Sequence, residues 1–205
     1  CGGRERHESE SGSPQAGRRL TGGAILSRMG DVVLRIGQGW DIHRLVEGRP
    51  FRLGGIEVPF DRGPLGHSDG DVVMHALCDA LLGAAAAGDI GSHFPDTDPR
   101  YSGADSADLL ARVVRLLTER GCTICNVDVT ILAERPRLAP HLDRMRARIA
   151  EILGTDPGRV SLKAKTMEGL DAVGRGEAVA AAAVALIEER GETQPPPSWR
   201  HPASP

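Results

Sequence analysis

The chain has 205 residues and a formal net charge of -3 at pH 7, with a pI near 6.2, which is long enough to bury a core and too acidic for a nucleic-acid surface. No basic stripe interleaved with aromatics occurs, and no apolar run is long enough to span a membrane. A small-molecule partner is expected, with neither nucleic acid nor membrane.

Residues 1–30, with Glu5, His7, Glu8, Ser9, Glu10 and Pro14, have the polar, Gly-rich composition of a segment that cannot bury a core. They are expected to be disordered, either upstream of a true start at Met29 or a linker from a larger polypeptide. Their charges and glycines stand where a signal peptide needs an apolar segment. Cys1, Cys78, Cys122 and Cys125 are too few and too irregular for a disulfide framework, so the expected compartment is the cytoplasm.

The folded domain is expected over 31–190. Val32 to Leu45, rich in Val, Leu, Ile and Trp, reads as a strand that places Asp41 and His43 on one face. Gly37-Gln38-Gly39 lacks the third glycine and following helix of a dinucleotide fingerprint, which argues against Rossmann binding. Phe51 to Phe60, with Gly54-Gly55 at its centre, reads as a hairpin. Asp71 to Ala87, Pro-free and rich in Ala and Leu, reads as a helix opening at Ser68 with Asp71 three residues on. In that helix Asp71, His75 and Asp79 share a face. Asp41, His43 and His75 then supply one carboxylate and two imidazoles with a fourth position open, the donor set of a catalytic zinc. Backbone N–H groups at Ser68 to Asp71 and the helix dipole favour an anion there, suggesting a phosphate substrate.

Asp89 to Pro99 reads as a polar loop suited to covering a substrate. Asp105 caps a second helix with Leu109, Leu110, Val113, Val114, Leu116 and Leu117 as its stripe, stopped by Gly121. Cys122 to Ala133 is a strand alternating at Val127, Val129 and Ile131, and Cys122-x-x-Cys125 reads as small strand residues because no second pair completes a metal site. A third helix, His141 to Leu153, closes at Gly154, and Arg159 to Thr166 is another strand. Glu177 to Ile187 reads both ways: its alanines favour helix while its alternation permits strand. Residues 191–205, including Pro195-Pro196-Pro197, are expected to be a disordered tail. The alternation predicts an α/β or α+β domain around a mixed sheet.

Two other function classes fit parts of the pattern. A zinc hydrolase would use the open position for water, with Asp71 or Asp79 as its acid, although His-Glu-x-x-His is absent. A zinc-stabilised binding module would want four protein ligands, and the sequence offers three.

Several motifs occur together and in order: Arg35-Ile36-Gly37-x-Gly39-x-Asp41-Ile42-His43, His67-Ser68-Asp69-Gly70-Asp71, Asp79-Ala80-Leu81-Leu82-Gly83-Ala84, Gly88-Asp89-Ile90-Gly91, Phe94-Pro95-Asp96-Thr97-Asp98, Asn126-Val127-Asp128 and Gly174-Arg175-Gly176-Glu177. From about Leu34 to Glu188 the chain closely resembles the 2-C-methyl-D-erythritol 2,4-cyclodiphosphate synthases of the methylerythritol phosphate pathway. The resemblance implies a CMP-releasing phosphorus–oxygen lyase. It would convert 4-diphosphocytidyl-2-C-methyl-D-erythritol 2-phosphate to the cyclic diphosphate in isoprenoid precursor biosynthesis.

The resemblance also implies residue roles. Asp41, His43 and His75 would bind zinc, and Glu168, with Thr166 beside it, a magnesium or manganese ion. His67, Ser68, Asp89, Gly91 and Asp96 would meet the methylerythritol phosphate part. Ala133, Pro136, Arg137, Leu138, Lys165 and Thr166 would line the cytidine diphosphate pocket, and Ile90, Phe94 and Arg175 would also bind substrate. It implies a two-layer α+β fold with a mixed sheet against about three helices, a strand over Glu177 to Ile187, and a homotrimer with active sites between subunits. Two positions depart from the usual family pattern: Lys165-Thr166-Met167-Glu168 stands where threonines often precede the acid, and Ala172 where an aromatic is common.

Overall fold

The computed structural model describes residues 32–190; the expected leader, 1–30, and tail, 191–205, lie outside the described residues. Among these residues seven strands and five α-helices follow in order: β1 (Val32–Glu47), β2 (Arg52–Leu53), β3 (Ile56–Glu57), β4 (Arg62–Pro64), α1 (Val72–Ala84), α2 (Ile90–His93), α3 (Ser106–Glu119), β5 (Cys122–Leu132), α4 (Leu142–Leu153), β6 (Val160–Lys165), α5 (Asp171–Gly174) and β7 (Ala178–Arg190). Five strands form a mixed sheet in the order β4-β1-β7-β5-β6, while β2 and β3 make a separate hairpin. Only β5 and β6 run parallel among the pairs in the main sheet; β1, β4, β5 and β7 meet antiparallel. The mixed sheet is as expected, but five α-helices accompany it rather than about three, because α2 and α5 are single turns of four residues within segments that read as loops.

One face of the sheet carries the main core. Val179, Ala181, Ala183, Ala185 and Ile187 of β7 and Val127, Val129 and Ile131 of β5 bury there with α1, α3 and α4. The approach of α1 to β1 is very close. A Cβ on Gly37 would lie 2.0 Å from the Ala80 carbonyl oxygen, and one on Gly39 2.0 Å from that of Ala76. Gly37-Gln38-Gly39 therefore serves helix–strand contact, as glycines inside strands do where another backbone comes near. The same close packing explains the alanines of the last segment. All of Glu177 to Ile187 except Glu177 itself is strand, within β7, because its small side chains let α1 lie against the sheet centre, overriding alanine's preference for helix.

The opposite face has a smaller cluster near one end, where Val173, Ala178 and Ala180 pack with Leu132, Met167 and Ala172. Elsewhere that face presents Leu34, Ile36, Trp40, Ile42 and Val184, with Ile36 71% and Leu34 62% exposed.

The start of α1 differs from the sequence expectation. Asp71, not Ser68, is the N-cap, accepting hydrogen bonds from Val73 N and Met74 N, and the helix ends at Ala84 rather than Ala87. The Gly54-Gly55 hairpin turn also donates to Asp71, from Gly54 N at 3.0 Å and Gly55 N at 2.7 Å. Four backbone amides thus converge on one buried carboxylate, locking the hairpin to the helix start. The second and third helices begin and end nearly as the pattern predicts: Asp105 caps α3, and Gly154 closes α4 in the left-handed conformation at φ 63°.

Candidate active site

Asp41 and His43 leave β1 on the face that carries Gly37 and Gly39, toward α1, as strand alternation requires. His75, in the first turn of α1, meets them. Asp41 Oδ2 lies 2.8 Å from His75 Nδ1 and 3.0 Å from His43 Nε2, and the two ring nitrogens are 3.3 Å apart. One ligand atom from each residue falls within 4.8 Å of the others. The rings are held from behind. His43 Nδ1 lies 2.7 Å from the Leu65 carbonyl oxygen, which can only accept, so this nitrogen carries a proton and Nε2 is the atom turned inward, donating to Asp41 while the ring is protonated and free to ligate a cation once it is not. His75 Nε2 lies 3.0 Å from Ser68 Oγ and 2.9 Å from Ser106 Oγ, leaving Nδ1 for the centre.

The electrostatics agree with a cation site. Burial pushes the Asp41 carboxyl up, but hydrogen bonds from His43 and His75 outweigh it and hold the group well below the usual carboxylate range. The Asp41 hydrogen bond raises His43 above its ordinary value despite burial. Three donors of N/O type on two elements, with second nitrogens tied to protein acceptors, are a donor set that fits a zinc ion.

Two sequence expectations fail here. Asp71 does not share the site face with His75, because its carboxylate turns back to cap α1 and to bind the hairpin turn. Burial raises its pKa, against the hydrogen bonds from Gly55, Gly54 and Met74. Three of the four amides expected to receive an anion are already bonded: Asp69 N donates to Ala104 O, Gly70 N to Ser68 Oγ and Asp71 N to Asp69 Oδ1. A phosphate there would meet chiefly side chains.

Asp79, one turn beyond His75, is half-buried and accepts from Ile90 N at 2.7 Å, tying α1 to the segment with Asp89, Ile90 and Gly91. Burial raises its pKa, with Asp89 and Asp41 adding like charge. Asp89 caps α2, so the segment beyond α1 is a short helix and a turn rather than a plain loop. Phe94 packs edge-on against Tyr101 at 5.4 Å between ring centroids, while Asp96 and His67 are exposed.

The other expected residues form a second group at the ends of β5 and β6. Ala133 N donates to Lys165 O, Met167 N to Glu134 Oε2, and Thr166 Oγ1 to Glu168 Oε1 at 2.7 Å. Glu168 has φ +52°, a conformation costly for a non-glycine residue and common at functional sites. Leu138 is buried, whereas Arg137, Lys165, Thr166 and Arg175 are exposed and Pro136 is half-buried; the Arg135–Pro136 bond is cis. A cavity of about 400 Å³ beside this group is lined by Arg62, Glu134, Arg135 and Gly174 to Gly176. Within one chain the two groups stand apart. Strand β7 lies between β1 and β5, so β1 and β6 are roughly 14 Å apart at ordinary strand spacing. Met167 also packs against the face opposite α1.

Residues 34–188 match the YgbB family. The chain belongs to this family. It is 59% identical over 157 residues to a 2-C-methyl-D-erythritol 2,4-cyclodiphosphate synthase of Laribacter hongkongensis, covering 77% of this chain and 97% of the relative. A solved 2C-methyl-D-erythritol-2,4-cyclodiphosphate synthase in its CDP-bound form superposes with a TM-score of 0.70 at 43% identity, covering 75% of this chain and 99% of that one. The bifunctional IspDF of Campylobacter jejuni gives 0.75 at 36% identity over 78% of this chain, which spans 43% of that longer protein.

Sequence reading missed Ser106 and Asp69 as participants. Ser106 follows the Asp105 cap and looked like an ordinary first-turn residue, and nothing local showed that α3 delivers it to His75 across 31 positions.

Proposed function

We propose that this YgbB-family chain is a 2-C-methyl-D-erythritol 2,4-cyclodiphosphate synthase. It would convert 4-diphosphocytidyl-2-C-methyl-D-erythritol 2-phosphate to the cyclic diphosphate with release of CMP, acting as a phosphorus–oxygen lyase in isoprenoid precursor biosynthesis. The observation that carries this reading is the convergence of Asp41, His43 and His75 within 4.8 Å in a chain 59% identical to such a synthase.

In the reaction a 2-phosphate oxygen attacks the β-phosphorus of the same molecule as CMP leaves, so anionic groups must be brought together. Zinc and a magnesium or manganese ion, when bound, supply the positive charge that polarises the β-phosphate and neutralises the leaving group. Asp41, His43 and His75 hold the first cation, and Glu168, steadied by Thr166, holds the second. His67, Ser68, Asp89, Ile90, Gly91, Phe94 and Asp96 fold the methylerythritol phosphate back on itself, which supplies proximity. Ala133, Pro136, Arg137, Leu138, Lys165, Thr166 and Arg175 receive the cytidine diphosphate. The nucleophile is already ionised, so no general base is needed, in keeping with histidine nitrogens committed to holding and orientation. The free thiols of Cys78, Cys122 and Cys125 support a cytoplasmic setting.

The working unit in this reading is a homotrimer with sites between subunits. Two observations support it: the zinc and cytidine groups are separated within one chain, and Leu34, Ile36, Trp40 and Val184 leave an apolar sheet face exposed, a patch suited to association.

Incubation with substrate in oxygen-labelled water tests the reaction class. Cyclisation puts no solvent oxygen into the product, and its incorporation would establish a hydrolase instead, with Asp79 as the nearby acid.

A further inference from the structure

We infer that Ser106 and Asp69 form a hydrogen-bond relay that sets the tautomer of His75 and thereby the strength of the metal centre. This rests on the reading of Asp41, His43 and His75 as zinc ligands.

The direction of the relay follows from donor counting. Ser106 is fully buried, and its hydroxyl has three neighbours: Asp69 Oδ1 at 2.5 Å, His75 Nε2 at 2.9 Å and Ser68 Oγ at 3.2 Å. An ionised carboxylate can only accept, so the single Ser106 proton goes to Asp69. The Ser106 oxygen is then an acceptor toward His75, so Nε2 carries the ring proton and shares it with Ser68 Oγ at 3.0 Å, whose own hydroxyl proton turns to the Ser106 oxygen. His75 Nδ1 is then the atom left for the centre, 2.8 Å from Asp41 Oδ2 and 3.3 Å from His43 Nε2, where it presents its lone pair once a cation takes the place of a proton. Asp69 is itself fixed by donation from Ser106 N at 3.3 Å and Asp71 N at 3.3 Å.

The relay runs from a carboxylate in the loop just before α1, through the first residue of α3, 37 positions away, and back to a ligand on α1. It makes Ser106 and Asp69 positioning residues, since neither reaches the centre. Ser106 is not the helix cap, a role filled by Asp105, so removing its hydroxyl leaves the end of α3 intact. Reversing the relay is also possible. In Asp69→Asn the amide can donate to Ser106, whose proton then turns to His75 Nε2 and favours the tautomer that cannot ligate.

The test measures the zinc dissociation constant of the full chain by chelator competition, together with the visible spectrum of the cobalt-substituted protein. Ser106→Ala and Asp69→Asn should each weaken zinc about 10–100-fold, the usual effect of losing an outer hydrogen-bond partner, and shift the cobalt bands. The double variant should match Ser106→Ala rather than show the product of the two effects, because Asp69 acts through that hydroxyl. Zinc affinity within two-fold of wild type in folded Ser106→Ala overturns the relay, as does a multiplicative double variant. If Asp69→Asn fails to fold, Ser106→Ala alone still decides. His75→Ala separates the underlying reading: zinc retained there refutes the ligand assignment itself, whereas zinc lost there but unaffected by Ser106→Ala refutes only the relay.

Discussion

Replacing Gly39 with alanine should displace α1 and disable the metal centre. A Cβ there would stand 2.0 Å from Ala76 O, 2.7 Å from Ala80 N and 2.9 Å from Asp79 Cβ, where ordinary contact begins at 3.4 Å. Two of these neighbours are helix backbone, so relief requires α1 to retreat from β1 by about 1.4 Å, the gap between 2.0 and 3.4 Å. Overpacking of this kind costs about 3 kcal/mol, the upper end of the usual range because no side chain can rotate away. For a domain of this size that lowers the melting midpoint by roughly 6–12 °C. Function suffers separately, because His75 precedes Ala76 on the displaced helix while Asp41 follows Gly39 by two residues on the strand. A ligand misplacement on the order of 1 Å costs about 100-fold in turnover and exceeds the tolerance of metal–ligand distances, roughly 0.2 Å. Gly83→Ala is the control. Gly83 lies in the same helix with nothing nearer than Gln38 O at 3.8 Å, so alanine should stabilise by up to about 1 kcal/mol. Thermal melts and zinc titrations at matched protein concentration read both variants. A Gly39→Ala protein with wild-type midpoint and zinc affinity would refute the close-approach argument.

Asp71→Ala removes the acceptor of four backbone amides and should destabilise by about 3–5 kcal/mol, combining a lost cap with orphaned donors; a midpoint near wild type in chemical denaturation would contradict the capping role. Glu168→Gln should retain zinc while weakening the magnesium dependence of turnover, and an unchanged magnesium titration would count against the second-cation assignment. In the metal-free protein His43 has a raised pKa through Asp41, so its stabilisation is fully present below its ordinary value of 6.5 and is lost as pH rises through the raised one. Asp41 contributes stability above its ordinary 3.8 that is lost as pH falls toward its depressed value. Zinc binding should weaken as pH falls and His43 takes up its proton, which chelator competition across pH 5.5 to 8.5, on the order of that pKa window, would check. Finally, His75→Ala and the double variant Thr166→Ala, Glu168→Ala, each inactive alone, should recover roughly a quarter of wild-type activity per site when co-expressed in equal amounts, if sites are shared between neighbouring subunits; verified mixed assemblies with no activity would exclude that arrangement.

The sequence by itself determined the features governed by local periodicity and by residue type. Alternation placed Asp41 and His43 on one face of β1, the Gly54-Gly55 pair made the hairpin turn, and Asp105 and Gly154 bounded their helices, because each depends on neighbours within a few residues. The order of motifs from Leu34 to Glu188 identified the family for the same reason: residue identities survive without coordinates. Tertiary contact decided the rest. Asp71 looked like a site residue at helical spacing from His75, but the hairpin amides claimed its carboxylate. The amides of Asp69, Gly70 and Asp71 looked open to an anion, but the surrounding loops had already satisfied them. Ala178 to Ile187 carries alanines that suit a helix, yet it lies in the central strand because α1 tolerates only small residues beneath it. Ser106 and Asp69 acquire meaning only when α3 folds back to His75, since a hydrogen bond spanning 31 positions leaves no periodic trace in the chain.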